Sequence, residues 1–294
     1  MKKAFLIPFA VLALFSCDKE SNGMLRPVIE GDEVTVTINT TSPKARTTKT
    51  TLENNVSYWS AGDKVSIIYN ESTSGNWVNK QSQALEKGGS KVSFTATLSP
   101  VPDGKYDAYA FYPANDLESS GTKIRLNLPA TQQPTGTSFD GNADILLSDA
   151  FVPVGTVSPT FYRMGSILRV YPDNASLLNQ SLLSFTLTAQ SDIAGDLVVN
   201  PKTASADVLE NGSKTVTVTY DQEKRFKLGN ADNYVYMVVA PQTIPAGSKL
   251  VFSGETENYT FTRTVDLANA IKLRAGRISP ITVIINSLSP KGEE

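Results

Sequence analysis

The sequence predicts an all-β protein, and three observations carry that prediction. Apolar and polar residues alternate with period two in short runs, and those runs are bounded by Gly, Pro, Asn, Asp and Ser. No stretch of a dozen residues carries an apolar stripe with the 3.6-residue period of a helix. Serine and threonine together number 58 of 294 residues, and the β-branched threonines suit a pleated surface. A dozen short strands separated by turns assemble as antiparallel sandwiches or barrels, not as βαβ units. No repeat of 20–50 residues recurs, which disfavours a solenoid or a propeller.

In chain order, strands are expected at 34–40, 64–69, 92–98, 106–112 and 124–128. They continue at 166–171, 182–189, 214–220, 234–240, 249–253, 259–265 and 281–286. Length argues for two domains, because single cores stop growing near about 250–300 residues. The boundary is expected within 149–159, where Pro153, Gly155 and Pro159 punctuate a stretch with few charges. That places an N-terminal β-sandwich domain at 33–152 and a C-terminal one, with the terminal strand, at 153–294.

A different kind of segment precedes the first strand. Lys2 and Lys3 lead into an apolar run from Ala4 to Phe15, well short of the roughly 20 residues of a membrane-spanning helix. A basic start followed by a short apolar run is the pattern of a removable export signal, expected over 1–16. The run ends at Cys17, the only cysteine. Leu14-Phe15-Ser16-Cys17 resembles a bacterial lipoprotein cleavage box, and the resemblance implies that Cys17 becomes the acylated first residue. Two or three acyl chains anchor durably where one chain binds only marginally. Residues 17–32 then read as an acylated tether. Its charged start, Asp18-Lys19-Glu20-Ser21, is similar to the surface-export signals of some lipoproteins or is a solvated spacer. Without residues 1–16 the formal charge is −4, from 25 Lys+Arg (27 less Lys2 and Lys3) against 29 Asp+Glu.

Composition removes most catalytic classes. With no histidine there is no Ser-His-Asp or Cys-His machinery, no HExxH zinc site and no imidazole switch. One cysteine makes no internal disulfide, Cys-x-x-Cys pair or cysteine zinc cage. A formal charge of −2 is not that of a nucleic-acid-binding surface, and no phosphate-binding glycine loop is present, so neither nucleic acid nor a cofactor is expected. Asp140, Asp144 and Asp149 are close in sequence, whereas a glycosidase needs two carboxylates at a set separation. The run from Asp140 to Asp144 is only superficially a calcium loop. Ile145 stands where its glycine belongs and Phe151 where its bidentate glutamate belongs, so a structural turn is expected. Tyr58, Trp59, Tyr69 and Trp77 are residue types that could stack on sugar rings, although aromatics in sandwiches more often pack the core or an edge. Lys44, Arg46 and Lys49 form a small basic cluster in a Ser/Thr-rich stretch. The chain is not expected to be an enzyme.

Several segments then point in one direction. They are Tyr58-Trp59-Ser60-Ala61-Gly62-Asp63-Lys64-Val65, Tyr109-Ala110-Phe111-Tyr112-Pro113, and Leu128-Pro129-Ala130-Thr131-Gln132-Gln133 leading to Phe139-Asp140. Phe161-Tyr162-Arg163-Met164-Gly165-Ser166 and Leu273-Arg274-Ala275-Gly276-Arg277-Ile278 follow. With the lipoprotein start, their order and spacing resemble the fimbrillin family of type V pilin subunits and their pilin-like relatives. The resemblance implies two stacked transthyretin-like β-sandwich domains, exported as a lipoprotein to the outer membrane. It also implies that an arginine-specific protease cuts after a loop arginine and frees the first strand, whose place a neighbouring subunit's terminal strand takes. Anchor and tip members escape that cut or carry modified ends.

On that scheme Arg46, in Lys44-Ala45-Arg46-Thr47, is the candidate processing site; a cut at Arg26 would remove only the tether. Val34, Val36 and Ile38 share one face of the first strand, and Ile281, Val283 and Ile285 share one face of the last. These near-isosteric triplets are the candidate exchanged strands, each worth roughly 5–9 kcal/mol gross when buried. The expected function is that of a structural subunit of a surface pilus, or a pilin-like adhesion lipoprotein. Its expected partners are other pilin subunits, the outer membrane and a host or bacterial surface ligand. The alternative is a non-polymerising fimbrial anchor or glycan-binding surface lipoprotein, with a carboxylate glycosidase ranked last. Only Ser287 to Glu294 follow the last expected strand, so an elaborated C-terminal adhesive domain is not expected.

Overall fold

A computed structural model of the chain describes residues 33–41, 59–71, 76–99, 107–134, 138–203, 205–225, 227–229 and 234–292. The expected export segment and tether over 1–32, with Cys17 and Arg26, lie outside the described residues, as do Lys44, Arg46, Lys49 and Tyr58. Every one of the twelve expected strands is present, with ends displaced by three residues at most. The described helices are single 3-10 turns. None is long and apolar enough to cross a membrane.

The first strand, Val34–Thr41, is the middle member of a three-stranded sheet. It runs antiparallel to Lys91–Leu98 over eight register pairs and parallel to Gly155–Val157 over three. The facing sheet has the order Phe161–Arg163, Leu146–Ser148, Ala108–Tyr112, Ser66–Glu71, Asn76–Gln81. Val36, Ile38, Phe94 and Leu98 from one sheet meet Ile67, Tyr69, Ala110 and Tyr112 from the other. Trp59 sits among them, edge-on to Phe94 at 5.0 Å and to Tyr112 at 5.3 Å between ring centres.

The five-stranded sheet is covered on both faces. Between the residues of the first core, Ile68, Tyr109, Phe111 and Leu147 point the other way and join a second core with Ile124, Leu126 and Ile167. Ala108–Tyr112 is therefore buried at all five positions, and its Ala-Tyr-Ala-Phe-Tyr sequence carries no polar alternation.

The second half holds a six-stranded sheet in the order Ser289–Pro290, Tyr259–Asp266, Lys249–Thr256, Leu182–Thr188, Thr215–Thr219, Thr131–Gln132. Phe185 packs its ring against Phe252 and Phe261 at 6.1 and 6.2 Å beneath it. A three-stranded sheet places Ser166–Asp173 between Val235–Val239, antiparallel, and Ile278–Ile284, parallel. This repeats the plan of the first half, where Val34–Thr41 also lies between an antiparallel and a parallel neighbour.

Strand pairing crosses the expected 152/153 division in both directions. Gly155–Val157 and Phe161–Arg163 complete the sheets of the first half. Ile124–Leu128 pairs with Ala194–Asn200, and Thr131–Gln132 with Thr215–Thr219. The prolines and glycine of 149–159 punctuate a loop that leaves the five-stranded sheet and returns to it.

Candidate functional site

The first strand and the strand expected to be last, which a further short strand at Ser289–Pro290 follows, occupy unlike seats. In Val34–Thr41 the chain alternates strictly: Val36 and Ile38 are fully buried, Thr40 is buried beside them, and Val34 is half-buried. The outward-facing Asn39 accepts a hydrogen bond from the Ser93 hydroxyl at 2.7 Å across the ladder. This strand has a backbone partner on each side. By contrast, Ile278–Ile284 is an edge strand, held by Ser166–Asp173 over seven register pairs. Val283 and Ile285 are buried, Ile281 is half-buried, and Ile284 is 61% exposed on the other face. Ile285 N–H donates to the Asp173 carbonyl at 2.9 Å, and the Asn174 side chain donates to the Ile285 carbonyl at 2.6 Å.

Aligned on the apolar triplets, residues 34–41 and 281–288 read Val-Thr-Val-Thr-Ile-Asn-Thr-Thr and Ile-Thr-Val-Ile-Ile-Asn-Ser-Leu. Thr35 with Thr282, Val36 with Val283, Ile38 with Ile285 and Asn39 with Asn286 are identical pairs. The burial sequence of half-buried, buried, buried is the same in the two triplets. Pro280, which has no N–H to give a ladder, aligns with Glu33, one residue ahead of the first register pair. Alternation alone points to the triplets; the polar matches Asn39/Asn286 and Thr40/Ser287, with Asn286 and Ser287 beyond the strand Ile278–Ile284, emerge only when the two segments are set side by side.

The other candidates resolve into structural parts. Trp59 and Tyr69 are buried in the first core, and Tyr69 hydroxyl accepts from Ser99 N–H at 2.9 Å. Trp77 is half-buried and lies over Gly121, where a Cβ would come within 1.9 Å of the indole. These three rings therefore do not form a sugar-stacking platform. The Trp-x-x-Gly-Asp-Lys stretch is a turn with Gly62 at φ 91°. Asp63 closes it, accepting from Ser60 N–H at 2.7 Å and from the Tyr112 hydroxyl at 3.0 Å. Burial raises the Asp63 pKa above its ordinary value, partly countered by those two hydrogen bonds. Burial together with the Asp63 charge lifts the Tyr112 hydroxyl far above its own.

Each carboxylate of the 140–149 cluster has a structural partner. Asp140 accepts from Asn142 N–H at 2.9 Å and from Gln133 N–H at 2.8 Å, capping the single turn Gly141–Ala143. Asp144 is held bidentately by Arg163 at 2.7 and 3.1 Å in a buried pair, and Asp149 accepts from Thr160 N–H at 2.8 Å. Among the described residues no three potential ligands converge as a metal site.

No protein-family model matches the chain, and no curated protein matches it. Among solved structures, a candidate cell adhesion protein of Bacteroides ovatus superposes with a TM-score of 0.50 at 15% identity, over 91% of this chain and 97% of that one. A second such protein, from Bacteroides uniformis, gives 0.48 at 18% identity over 87% and 96% of the two chains. The tip fimbrial protein of Porphyromonas gingivalis, with a C-terminal truncation, gives 0.43 at 11% identity over 88% and 98%. The likeness to the Bacteroides ovatus protein establishes a shared fold, an all-β sandwich architecture, across nearly the full length of both chains.

Proposed function

We propose that the chain is a structural subunit of a bacterial surface pilus, or a pilin-like adhesion lipoprotein, that assembles by exchanging its terminal strands and performs no catalysis. The observation that carries this reading is the sequence match of 34–41 with 281–288 and the matching burial of their apolar triplets, one in a central seat and the other in an edge seat. The shared fold of a solved candidate cell adhesion protein supports it. In this reading Cys17 carries the lipid that brings the subunit to the outer membrane. A cut after Arg46 then severs the first strand from the body that follows it.

Once severed, the first strand is held only by its ladders and its buried side chains, and loss to solution becomes effectively irreversible. The last strand of a second copy, or of a related subunit, can then enter the vacated seat. Apolar contributions nearly cancel, because the strand exchanges the burial of Val283 and Ile285 in its own sheet for burial of the same groups in the acceptor's. Each such side chain is worth about 1.5–3 kcal/mol on either side of the exchange. The gain lies in the backbone: a strand with one parallel partner acquires an antiparallel partner as well.

Surface pili purified from cells carrying Arg46→Ala test the reading. The expected result is loss of the protein from the fibre and a mature N-terminus that stays at Cys17. Incorporation at the normal level with an unchanged N-terminus sinks the processing step. The intact chain keeps its first strand seated, which is what a non-polymerising anchor would also present. An N-terminus at Cys17 in wild-type surface material, with no SDS-resistant ladder, selects the anchor.

A further inference from the structure

The first strand is released from one particular side. Between Ser148 and Phe161, which pair with each other, the chain leaves the five-stranded sheet and comes back to it. At the base, Asp149 N–H donates to the Thr160 carbonyl at 3.0 Å and Thr160 N–H donates to the Asp149 carboxylate at 2.8 Å. Phe151 and Ala108 exchange two backbone hydrogen bonds of 2.8 and 2.9 Å, tying the outgoing limb to the same sheet. The tip crosses to the opposite sheet, where Gly155–Val157 lies parallel to residues 36–38. Among the described residues it is the only partner of the first strand on that edge.

The grip of the tip is short. It spans three register pairs, against eight with Lys91–Leu98 on the other edge. In the second half, the equivalent parallel neighbour spans seven. Val154, Gly155 and Thr156 are exposed, and only Val157 packs against the core. Gly155 turns the tip at φ 64°, with no atom near enough to touch an added Cβ. Beyond Val157 the limb parts from the strand, and Ser158, Pro159, Asn39, Thr40 and Val92 border an open cavity of about 510 Å³.

We propose that residues 149–160 are a clasp: it opens to turn the seated first strand into an edge strand, and it recloses along the strand that takes its place. This rests on the strand-exchange reading. A central strand leaves only by breaking both ladders, whereas opening three pairs at an exposed tip leaves one ladder, which an invading strand can replace pair by pair. The base hydrogen bonds and the Phe151 tie stay in place, so the sandwich does not unfold when the tip lifts. Reclosure gives the incoming strand its second backbone partner and slows its departure.

Two measurements test the clasp. On the intact chain, amide hydrogen exchange is expected to show the bonds between 36–38 and 155–157 opening together, about tenfold faster than the bonds between the first strand and Lys91–Leu98. Equal rates for the two edges would mean one rigid unit and would overturn the proposal. In the second, chain cut after Arg46 is mixed with a labelled peptide of residues 278–292. Thr156→Pro, which deletes an N–H from the tip, is expected to speed both entry and exit of the peptide by about fivefold or more. Gly155→Ala, which strains the tip without a clash, is expected to shift both rates the same way to a smaller extent. A peptide that enters at the same rates in all three chains overturns the clasp alone. A peptide that never enters the cut wild-type chain overturns strand exchange, and the clasp with it.

Discussion

At Asp63 a half-buried carboxylate holds the turn that delivers Trp59 to the first core, taking one hydrogen bond from Ser60 N–H and another from the Tyr112 hydroxyl. Its folded-state pKa is raised from 3.8, chiefly by burial. A group raised on folding contributes stability that is fully present below its unfolded pKa and lost as pH rises through the folded value. Wild-type stability is therefore expected to contain a component that declines as pH climbs above about 4. Asp63→Asn keeps an acceptor for Ser60 and cannot ionise, so its unfolding free energy is expected to be flatter over that range. Asp63→Ala loses the acceptor and is expected to cost about 1–2 kcal/mol near pH 4, a deficit that narrows as the wild type loses its Asp63 component at higher pH. Denaturant titrations between pH 4 and 7 on the three proteins check this; parallel pH profiles for wild type and Asp63→Asn would refute it.

At the scale of the element, the equivalence of the terminal strands can be tested without any assembly. Four substitutions, Val34→Ile, Thr37→Ile, Thr40→Ser and Thr41→Leu, give the first strand the sequence of 281–288. The variant is expected to fold with a loss below about 2 kcal/mol, because the fully buried Val36 and Ile38 are unchanged and the only group lost from a buried position is one methyl at Thr40. Ile38→Asp, which buries a carboxylate in the first core, is expected to unfold the intact chain or cost more than about 4 kcal/mol. Chemical denaturation measures both, and a four-substitution variant as damaged as Ile38→Asp would refute the equivalence.

How far each strand shows itself in the sequence follows from the faces it presents. Val34–Thr41 is legible because one face meets a core and the other meets solvent, so Val, Val and Ile alternate with Thr and Asn. Leu146–Ser148 is not, because both of its faces are covered and no alternation survives. Ala194–Asn200 hides for another reason. Its pattern is broken by Asp196, a buried carboxylate kept in place by the side-chain amides of Asn127 at 2.9 Å and Asn211 at 2.8 Å. Gly155–Val157 pairs in parallel with a strand more than a hundred residues earlier, which leaves no local mark. The same holds for the clasp, whose Pro and Gly residues read equally well as a boundary. In Trp59, Tyr69 and Trp77 the residue types allow either a core or a platform; only the packing decides.

Across the whole molecule the five-stranded sheet belongs to two cores at once. Ile67, Ala110 and Leu146 serve one, while Ile68, Phe111 and Leu147 serve the other. Loss of either core strips one face of a shared sheet, so unfolding of the intact chain is expected to be a single transition. Scanning calorimetry checks it: the van't Hoff and calorimetric enthalpies should agree, and two resolved peaks would count against it. A fragment ending at 152 lacks Gly155–Val157 and Phe161–Arg163 and lays bare Ile68, Phe111 and Leu147, so it is expected to be insoluble or molten.

The crossing of strands over the middle of the chain also has a mechanical meaning. In a fibre joined through the seats of the first and last strands, tension would enter at one end of the subunit and leave at the other. Between those points the chain passes from Ile124–Leu128, zipped to Ala194–Asn200, back to Gly155–Val157, zipped to the first strand. A spacer joining two independent sandwiches would extend under small loads. Here a pull would be taken up as shear along paired strands and their side-chain cores, and the chain would transmit force as a stiff link.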